Sequence, residues 1–94
     1  MISSYRDKRT RRFAEGKRVR EFESFRQQAE KRLDSLDSAT SLEDLRALPS
    51  NHFEALKGNR AGQYSIRINV QWRLCFEWKV RDRGASNVEI VDYH

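Results

Sequence analysis

The spacing of the apolar residues changes once along this chain, near Pro49, and that change limits the possible folds more than any other feature. Before Pro49 the apolar residues recur every three or four positions, which is the period of an amphipathic helix. After it they alternate with polar residues, which is the period of a β-strand. Because helices come first and strands follow with short connections, the sequence predicts an α+β fold. Its N-terminal helices pack on one face of a small antiparallel sheet.

The helical half contains three predicted helices. The basic stretch RDKRTRRFAEG predicts a helix that stops at Gly16, and MISSY before it predicts a short edge strand. The clearest helix spans residues 18–39, where one apolar stripe repeats at helical spacing. The stripe consists of Val19, Phe22, Phe25, Ala29, Leu33 and Leu36. Thr40, followed three residues later by Glu43, has the capping-box pattern and predicts a third helix that Pro49 ends.

The C-terminal half predicts successive antiparallel strands. Residues 63–70, 71–79 and 86–93 alternate apolar and polar side chains. One hairpin turn is expected near Asn69 and Val70, and a second in the stretch RDRGAS. The extended piece HFEALKG is expected to lead into the first of these strands.

Two arginines, Arg67 and Arg73, are predicted in the middle of adjacent strands on the face turned away from the helices. A guanidinium offers a planar fork that matches phosphate, which indicates a site for an anion. A surface pairing of Arg73 with Glu77 explains the same spacing without a ligand. The loop LKGNRAG, which carries Lys57 and Arg60, precedes the strand of Arg67, and its composition also suits an ordinary solvated turn.

The chain has a formal net charge of +5, and its basic excess lies in two blocks. Residues 1–32 contain eleven Lys and Arg against five Asp and Glu, and residues 51–83 contain seven against three. Two basic blocks indicate a polyanionic partner such as nucleic acid, while solubility alone also explains a basic chain. No apolar run approaches the ~20 residues that span a bilayer. The N-terminal stretch also lacks the apolar part of a secretory signal, so a cytoplasmic location without membrane contact is expected.

Cys75 is the one cysteine in 94 residues, which excludes a disulfide framework and a cysteine metal cluster. Its apolar strand neighbours predict a buried core residue. The two histidines, His52 and His94, are too far apart in sequence for metal-ligand spacing, so no metal or cofactor is expected. A chain of this length can bury one core, and a single domain over residues 1–94 is expected.

Three stretches together resemble the HigB toxins of the RelE superfamily: LKGNRAGQYSI, QWRLCF and DYH at the end of the sequence. The resemblance extends over nearly the whole chain, including LDSATSLEDL. It implies a compact RelE-like domain that acts as a ribosome-dependent mRNA endoribonuclease, the toxin of a type II toxin–antitoxin system that inhibits translation. It also implies a cognate helix-turn-helix antitoxin of the HigA type. Operator DNA would be contacted only through the antitoxin complex, and residues 6–20 are the expected docking surface for the antitoxin.

The resemblance also assigns site residues by position. Lys57 matches the active-site lysine of the LKG motif, and Arg73 matches the arginine that follows tryptophan in QWR. Tyr93 and His94 match a pair that belongs to the catalytic surface. Glu54 stands where some family members have a histidine and is included in the catalytic set.

The acid and the base of such a reaction are left open among three residues. RNA cleavage without metal requires a base for the 2′-hydroxyl proton, positive charge on the transition state and an acid for the leaving 5′-oxygen. His94 can act as either acid or base, Glu54 as a base, and His52 would lie on the same side as Glu54 in an extended segment. Arg60 and Arg67 are expected to bind the substrate. The alternative function is a non-catalytic basic module that binds RNA, DNA or a protein partner.

Overall fold

A twisted antiparallel sheet with helices on one face forms the framework of the protein. This computed structural model describes residues 1–79, 81 and 84–92. The described α-helices are α1 (Lys8–Ala14), α2 (Arg26–Ser38) and α3 (Leu42–Arg46), and 3-10 helices span Arg20–Phe25, Pro49–Asn51 and Gly58–Arg60. The described strands are β1 (Glu54–Ala55), β2 (Gln63–Arg67), β3 (Trp72–Lys79) and β4 (Gly84–Asp92), which lie in the order β1-β2-β3-β4. The predicted α+β architecture is confirmed.

The hydrophobic core lies between the helices and the inner face of the sheet. The whole apolar stripe predicted within residues 18–39 is buried there. The buried sheet residues that belong to the same cluster are Ile66, Ile68, Leu74, Phe76, Ala85, Val88 and Ile90. Phe22 joins the layers, since its ring contacts Phe13 of α1 at 5.5 Å and Trp72 of β3 at 5.7 Å between centroids. The predicted alternation of β2 and β3 is therefore confirmed.

The predicted helix over residues 18–39 is wrong in its first turns, because Arg20–Phe25 form a 3-10 helix. The last residue of this segment, Phe25, is also the N-cap of α2 and has φ −126° and ψ 28°, outside the helical region. Side chains three residues apart eclipse each other in a 3-10 helix. Phe22 and Phe25 therefore point the same way, and both rings contact Trp72, at 5.7 and 5.1 Å between centroids. Packing of two rings against one indole accounts for the tighter turn.

The predicted capping box is displaced by one residue. Ser41, not Thr40, is the N-cap of α3, and its hydroxyl accepts from the backbone N of Asp44 at 3.3 Å. The Asp44 carboxylate accepts from the backbone N and the hydroxyl of Thr40 at 2.9 and 3.1 Å, and these bonds lower the pKa of Asp44. Helix α3 ends at Arg46, and Pro49 begins a 3-10 turn instead of ending the helix.

The hairpin between β2 and β3 turns near Asn69 and Val70, as predicted. Its register places Arg67 directly opposite Arg73. The extended piece predicted before β2 contributes β1, in which Glu54 lies opposite Ser65. The sheet therefore brings the loop before β2 alongside the two central strands.

Cys75 is 1% exposed, so its predicted burial is confirmed. Its neighbours on β3, Leu74 and Phe76, point into the core, and Cys75 therefore lies on the opposite face of the sheet. Burial raises the pKa of the Cys75 thiol, and the nearby charge of Arg60 opposes that rise only in part. A desolvated thiol of raised pKa is a poor nucleophile, which agrees with a packing role.

The N-terminal segment covers the outer edge of β4. The backbone N of Ser3 donates to the carbonyl oxygen of Ala85 at 2.9 Å, and that of Arg6 donates to Val88 at 2.9 Å. The edge strand expected at MISSY is thus present only as isolated parallel bridges to β4. These contacts satisfy backbone groups that a bare edge strand would expose to other chains.

A side-chain hydrogen bond from α1 to β4 generates a test of this packing. Thr10 is fully buried, and its hydroxyl oxygen accepts from the backbone N of Ile90 at 3.1 Å. Thr10→Val keeps the shape but leaves that N–H unsatisfied, so we expect a loss of about 1–3 kcal/mol in the free energy of unfolding, measured with urea. Val70→Thr makes the reverse exchange at a position that is 86% exposed, and should change stability by less than about 0.5 kcal/mol. Equal effects at the two positions would contradict this role of Thr10.

Candidate functional site

We call the face of the sheet turned away from the helices the outer face. It carries Ser65 and Arg67 from β2 and Arg73, Cys75 and Glu77 from β3. Arg67 and Arg73 occupy directly paired positions. Like charges opposite each other destabilise a strand pair, and an anion bound between them would offset the repulsion. The outer face therefore has the charge arrangement of an anion site.

Among the described residues, three neighbours contact the guanidinium of Arg73. Its Nε donates to the hydroxyl oxygen of Ser65 at 2.8 Å, and its Nη2 donates to the carbonyl oxygen of His52 at 2.7 Å. The carboxylate of Glu54 lies 3.9 Å from the same Nη2. Only 14% of the Arg73 side chain is exposed. A cation fixed in this way loses little conformational freedom when an anion binds to it.

Glu54 brings a carboxylate to the edge of this cluster. β1 places it opposite Ser65, and its side chain is 55% exposed. It can therefore contact Arg73 and still meet a ligand from solvent. A carboxylate beside a bound hydroxyl can accept its proton, so the arrangement of Glu54 and Arg73 suits proton removal next to a bound anion.

His52 joins the cluster through its backbone. It has φ 44° and ψ 51°, the left-handed conformation, at the end of the 3-10 turn Pro49–Asn51. The expectation that residues 52–54 form one extended segment is therefore wrong at His52. The physical reason is the 3-10 turn, in which the backbone N of His52 donates to the carbonyl oxygen of Pro49 at 3.1 Å. The carbonyl oxygen of His52 faces Arg73, and the residue is exposed.

The basic loop after β1 carries Lys57 and Arg60, whose side chains have different surroundings. Lys57 is exposed and extended, immediately before the 3-10 turn Gly58–Arg60. The Nη1 of Arg60 donates to Oε1 of Gln63 at 3.0 Å and lies 3.5 Å from Oε1 of Glu89. Lys57 is thus presented to solvent, whereas Arg60 is drawn into ion pairs with β4.

Arg6 extends those ion pairs across the outer face. Its guanidinium lies 3.5 Å from the Glu77 carboxylate and 3.7 Å from that of Glu89. Glu77 also accepts from the side-chain amide of Asn87 at 3.2 Å. Among the described residues, acidic and basic groups are therefore matched at this end, while Arg67 and Arg73 give the other end more positive than negative charge.

The structure brings together only some of the predicted site residues. Arg73 meets Glu54, and Arg67 lies opposite Arg73, where the Nε of Arg67 donates to the carbonyl oxygen of Asn69 at 3.2 Å. Tyr93 and His94 fall outside the described residues, so their place on the catalytic surface stays a prediction.

Two contributors to the cluster were not selected from the sequence. Ser65 lies on the same face as Arg67 in the strand alternation, and that signal could have identified it. The carbonyl of His52 had no such signal, because a left-handed backbone at a non-glycine residue depends on its tertiary surroundings.

Across residues 1–79, 81 and 84–92, no three His, Cys, Asp or Glu side chains are grouped so that they could hold a metal ion. None of the helices in these ranges has the length and apolar character needed to cross a membrane.

Comparison with known proteins identifies the family. Residues 3–94 match the family model described as RelE-like toxin of type II toxin-antitoxin system HigB. Toxin HigB-1 of Vibrio cholerae serotype O1 is 50% identical over 48 residues, which cover 51% of this chain and 50% of that protein. Endoribonuclease HigB of Proteus vulgaris is 38% identical over 64 residues, which cover 67% of this chain and 65% of that protein.

An uncharacterized protein of Haemophilus influenzae is 37% identical over 49 residues, which cover 52% of this chain and 48% of that protein. The chain thus spans about half the length of the Vibrio and Haemophilus relatives and less than two thirds of the Proteus relative. The family model, in contrast, extends from residue 3 to residue 94. This chain therefore belongs to the HigB family of RelE-like toxins of type II toxin–antitoxin systems.

Proposed function

We propose that this toxin is an endoribonuclease that cuts messenger RNA on the ribosome and thereby inhibits translation. The observation that carries the proposal is the environment of Arg73, which lies opposite Arg67 and 3.9 Å from the carboxylate of Glu54. A phosphodiester needs positive charge around phosphorus and a proton acceptor beside the attacking hydroxyl. The name of the Proteus vulgaris relative, an endoribonuclease, supports the same reaction class.

The proposed reaction is an internal transesterification without metal. The 2′-hydroxyl loses its proton to a base, the 2′-oxygen bonds to phosphorus, and the bond from phosphorus to the 5′-oxygen breaks. An acid gives a proton to that leaving oxygen. The products are a 2′,3′-cyclic phosphate and a 5′-hydroxyl, so no other reactant is consumed.

We assign the proposed acid and base roles to Glu54, His94 and His52. Glu54 suits the base, because its exposed carboxylate lies beside the fixed guanidinium of Arg73. His94 is the proposed acid, since an imidazole titrates close to neutral pH. His52 is the remaining alternative for either role, and its exposed position does not conflict with that.

The cations have separate roles in this proposal. Arg73 stabilises the charge that develops on the phosphoryl oxygens, and Lys57, which is exposed in the loop after β1, is proposed to add positive charge to the bound RNA. Arg67 and Arg60 bind the flanking phosphates. Tyr93 offers an aromatic ring on which an unstacked base can lie.

The proposed protein partner is a helix-turn-helix antitoxin of the HigA type, which would link the toxin to operator DNA. Residues 6–20 are the proposed docking surface. Within this segment Arg11 and Arg12 are exposed on α1, whereas Arg9 is paired with Glu21 at 3.3 Å. The exposed arginines give the antitoxin a basic surface on the helix side of the protein, away from the outer face.

Arg73→Ala tests the catalytic role of the guanidinium. Loss of one preorganised donor to developing charge should lower the rate of mRNA cleavage by about 100- to 1,000-fold. The rate is measured by mapping new 5′ ends on ribosome-bound mRNA over time, with circular dichroism to check the fold. Arg18→Ala is the matched control, because that side chain is 80% exposed outside the sheet, and we expect wild-type cleavage. A merely graded loss that tracks salt concentration would favour the non-catalytic RNA-binding module.

His94→Ala tests the proposed acid. A general acid contributes about 100- to 10,000-fold in rate, so we expect cleavage to fall by at least about 100-fold while the melting temperature stays unchanged. Tyr93→Ala should weaken RNA binding by about 1–3 kcal/mol through lost stacking. Growth arrest and mRNA cleavage are measured side by side for both variants, with Arg18→Ala as the control and His52→Ala as the test of the alternative acid. Wild-type toxicity of His94→Ala would move the acid role to His52 or Glu54.

Dependence on the ribosome is tested with one mRNA presented in two forms. Because the proposed site has few acid–base groups, positioning of the message by the ribosome should supply part of the rate enhancement. We expect rapid cleavage of the message on ribosomes and slow or absent cleavage of the same RNA free in solution. Efficient cleavage of naked oligoribonucleotides would contradict the ribosome-dependent form of the proposal.

A further inference from the structure

Arg32 of α2 joins the end of β2 to the turn that precedes His52. Its Nε donates to the carbonyl oxygen of Arg67 at 2.8 Å, its Nη1 to Oδ1 of Asn51 at 3.0 Å and its Nη2 to the carbonyl oxygen of Ser50 at 3.3 Å. All three acceptors are neutral. A planar guanidinium with donors in a fixed fork can satisfy them together, which a lysine cannot do with one ammonium at the end of a flexible chain.

Asn51 connects the Arg32 side chain to the backbone of the turn before His52. It is fully buried, its Nδ2 donates to the carbonyl oxygen of Leu45 at 3.0 Å, and its backbone N donates to Leu48 at 3.0 Å. Together with the bond from Arg32, these contacts satisfy both ends of the amide. A buried polar group with its partners in place fixes its segment in one conformation. The left-handed turn at His52 is therefore set by the residue directly before it.

The carbonyl oxygen of His52 is the point where this turn meets the proposed active site. It accepts from Nη2 of Arg73 at 2.7 Å. Two hydrogen bonds and the peptide bond between Asn51 and His52 thus connect Arg32 to the guanidinium of Arg73. The same Arg32 also binds the backbone of Arg67, the residue opposite Arg73. Both arginines of the anion site are tied to one side chain on the helix side of the sheet.

We propose that Arg32 is a positioning residue for the active site. It holds the His52 carbonyl and the end of β2, and these hold the guanidinium of Arg73 in the place where phosphate is to bind. The role rests on the proposed ribonuclease function for its effect on rate. Its geometric part, the orientation of Arg73, does not depend on that function. A small misplacement of a reacting group can cost about 100-fold in rate. A residue that holds Arg73 in place can therefore affect the rate without touching the substrate.

The test uses two substitutions and a control on the same helix. Arg32→Met removes the fork and the charge, and Arg32→Lys keeps the charge but loses the fork. Arg26→Met removes an arginine of α2 whose guanidinium bonds to Glu23 and Glu30 at 3.1 and 3.2 Å and lies 5.9 Å from the centre of the Phe13 ring. Stability is measured for each variant, and rates are corrected for the folded fraction. If Arg32→Met fails to fold, Arg32→Lys is used for every measurement below.

The first readout is the side-chain ¹⁵N–¹H signal of the Arg73 Nε–H. We expect this proton, bonded to Ser65 in the native protein, to shift and to exchange faster with solvent in both Arg32 variants, and to stay unchanged in Arg26→Met. An unchanged Arg73 signal in the Arg32 variants would overturn the proposal. This signal can be measured even if the wild type cuts no RNA. A lack of RNA cleavage would contradict the proposed function but not the proposed role of Arg32 in orienting Arg73.

The second readout is the single-turnover cleavage rate on ribosome-bound mRNA. We expect both Arg32 variants to lose about 10- to 100-fold in rate, with affinity for the programmed ribosome within about twofold of the wild type. The same substitutions are then made in an Arg73→Lys background. A smaller effect there shows that Arg32 acts through Arg73, whereas equal effects in both backgrounds would mean a general structural role and would overturn the proposal.

Discussion

The register between β2 and β3 is the constraint on which the rest of the structure depends. It places Ile66 opposite Leu74 in the core and Arg67 opposite Arg73 on the outer face. Side chains alternate strictly along a strand, so a slip of one residue would turn the apolar set toward solvent and the arginines toward the helices. Burial of unpaired guanidinium groups is strongly unfavourable. The interaction that forms the core therefore also aligns the two arginines of the proposed anion site.

The parts of the fold that the sequence predicted correctly are those in which many apolar residues repeat at a regular spacing, so that many side chains are buried together. The helical stripe and the strand alternation each involve many buried side chains. The errors concern choices that differ by little free energy. The 3-10 turns of residues 20–25 follow from where Trp72 lies, and the cap at Ser41 competes with an equivalent group on Thr40. Local sequence does not contain the tertiary contacts that decide such cases.

The same distinction applies to the site. Residue type and strand face were enough to select Arg67 and Arg73 as neighbours on one surface, and the resemblance to HigB toxins added Glu54. They did not reveal that the carbonyl of His52 binds Arg73, because that contact needs a left-handed turn stabilised by the buried amide of Asn51. Sequence reasoning identifies the groups that carry charge more readily than the backbone groups that hold them in place.

Charge is distributed unevenly along the outer face, so the two ends of this surface differ in net charge. At one end Arg6 and Arg60 lie close to Glu77 and Glu89, which leaves little net charge there. At the other end, within residues 1–79, 81 and 84–92, the paired arginines face one carboxylate of β1, that of Glu54. A polyanion is drawn toward this more positive end. There the cation is rigid, with 14% of Arg73 exposed, and the carboxylate is open to solvent, with 55% of Glu54 exposed.

This contrast between a rigid cation and an accessible carboxylate fits the proposed reaction on the ribosome. Electrostatic stabilisation works best when the charged group is already in place, because no reorganisation is then needed as the transition state forms. Proton transfer instead requires that the hydroxyl be brought to within hydrogen-bonding distance of the base. The toxin supplies the first requirement through Ser65 and His52, which hold Arg73. The second is met when the messenger RNA is held with its hydroxyl close to Glu54. Under the proposed function, the ribosome holds the message in that position.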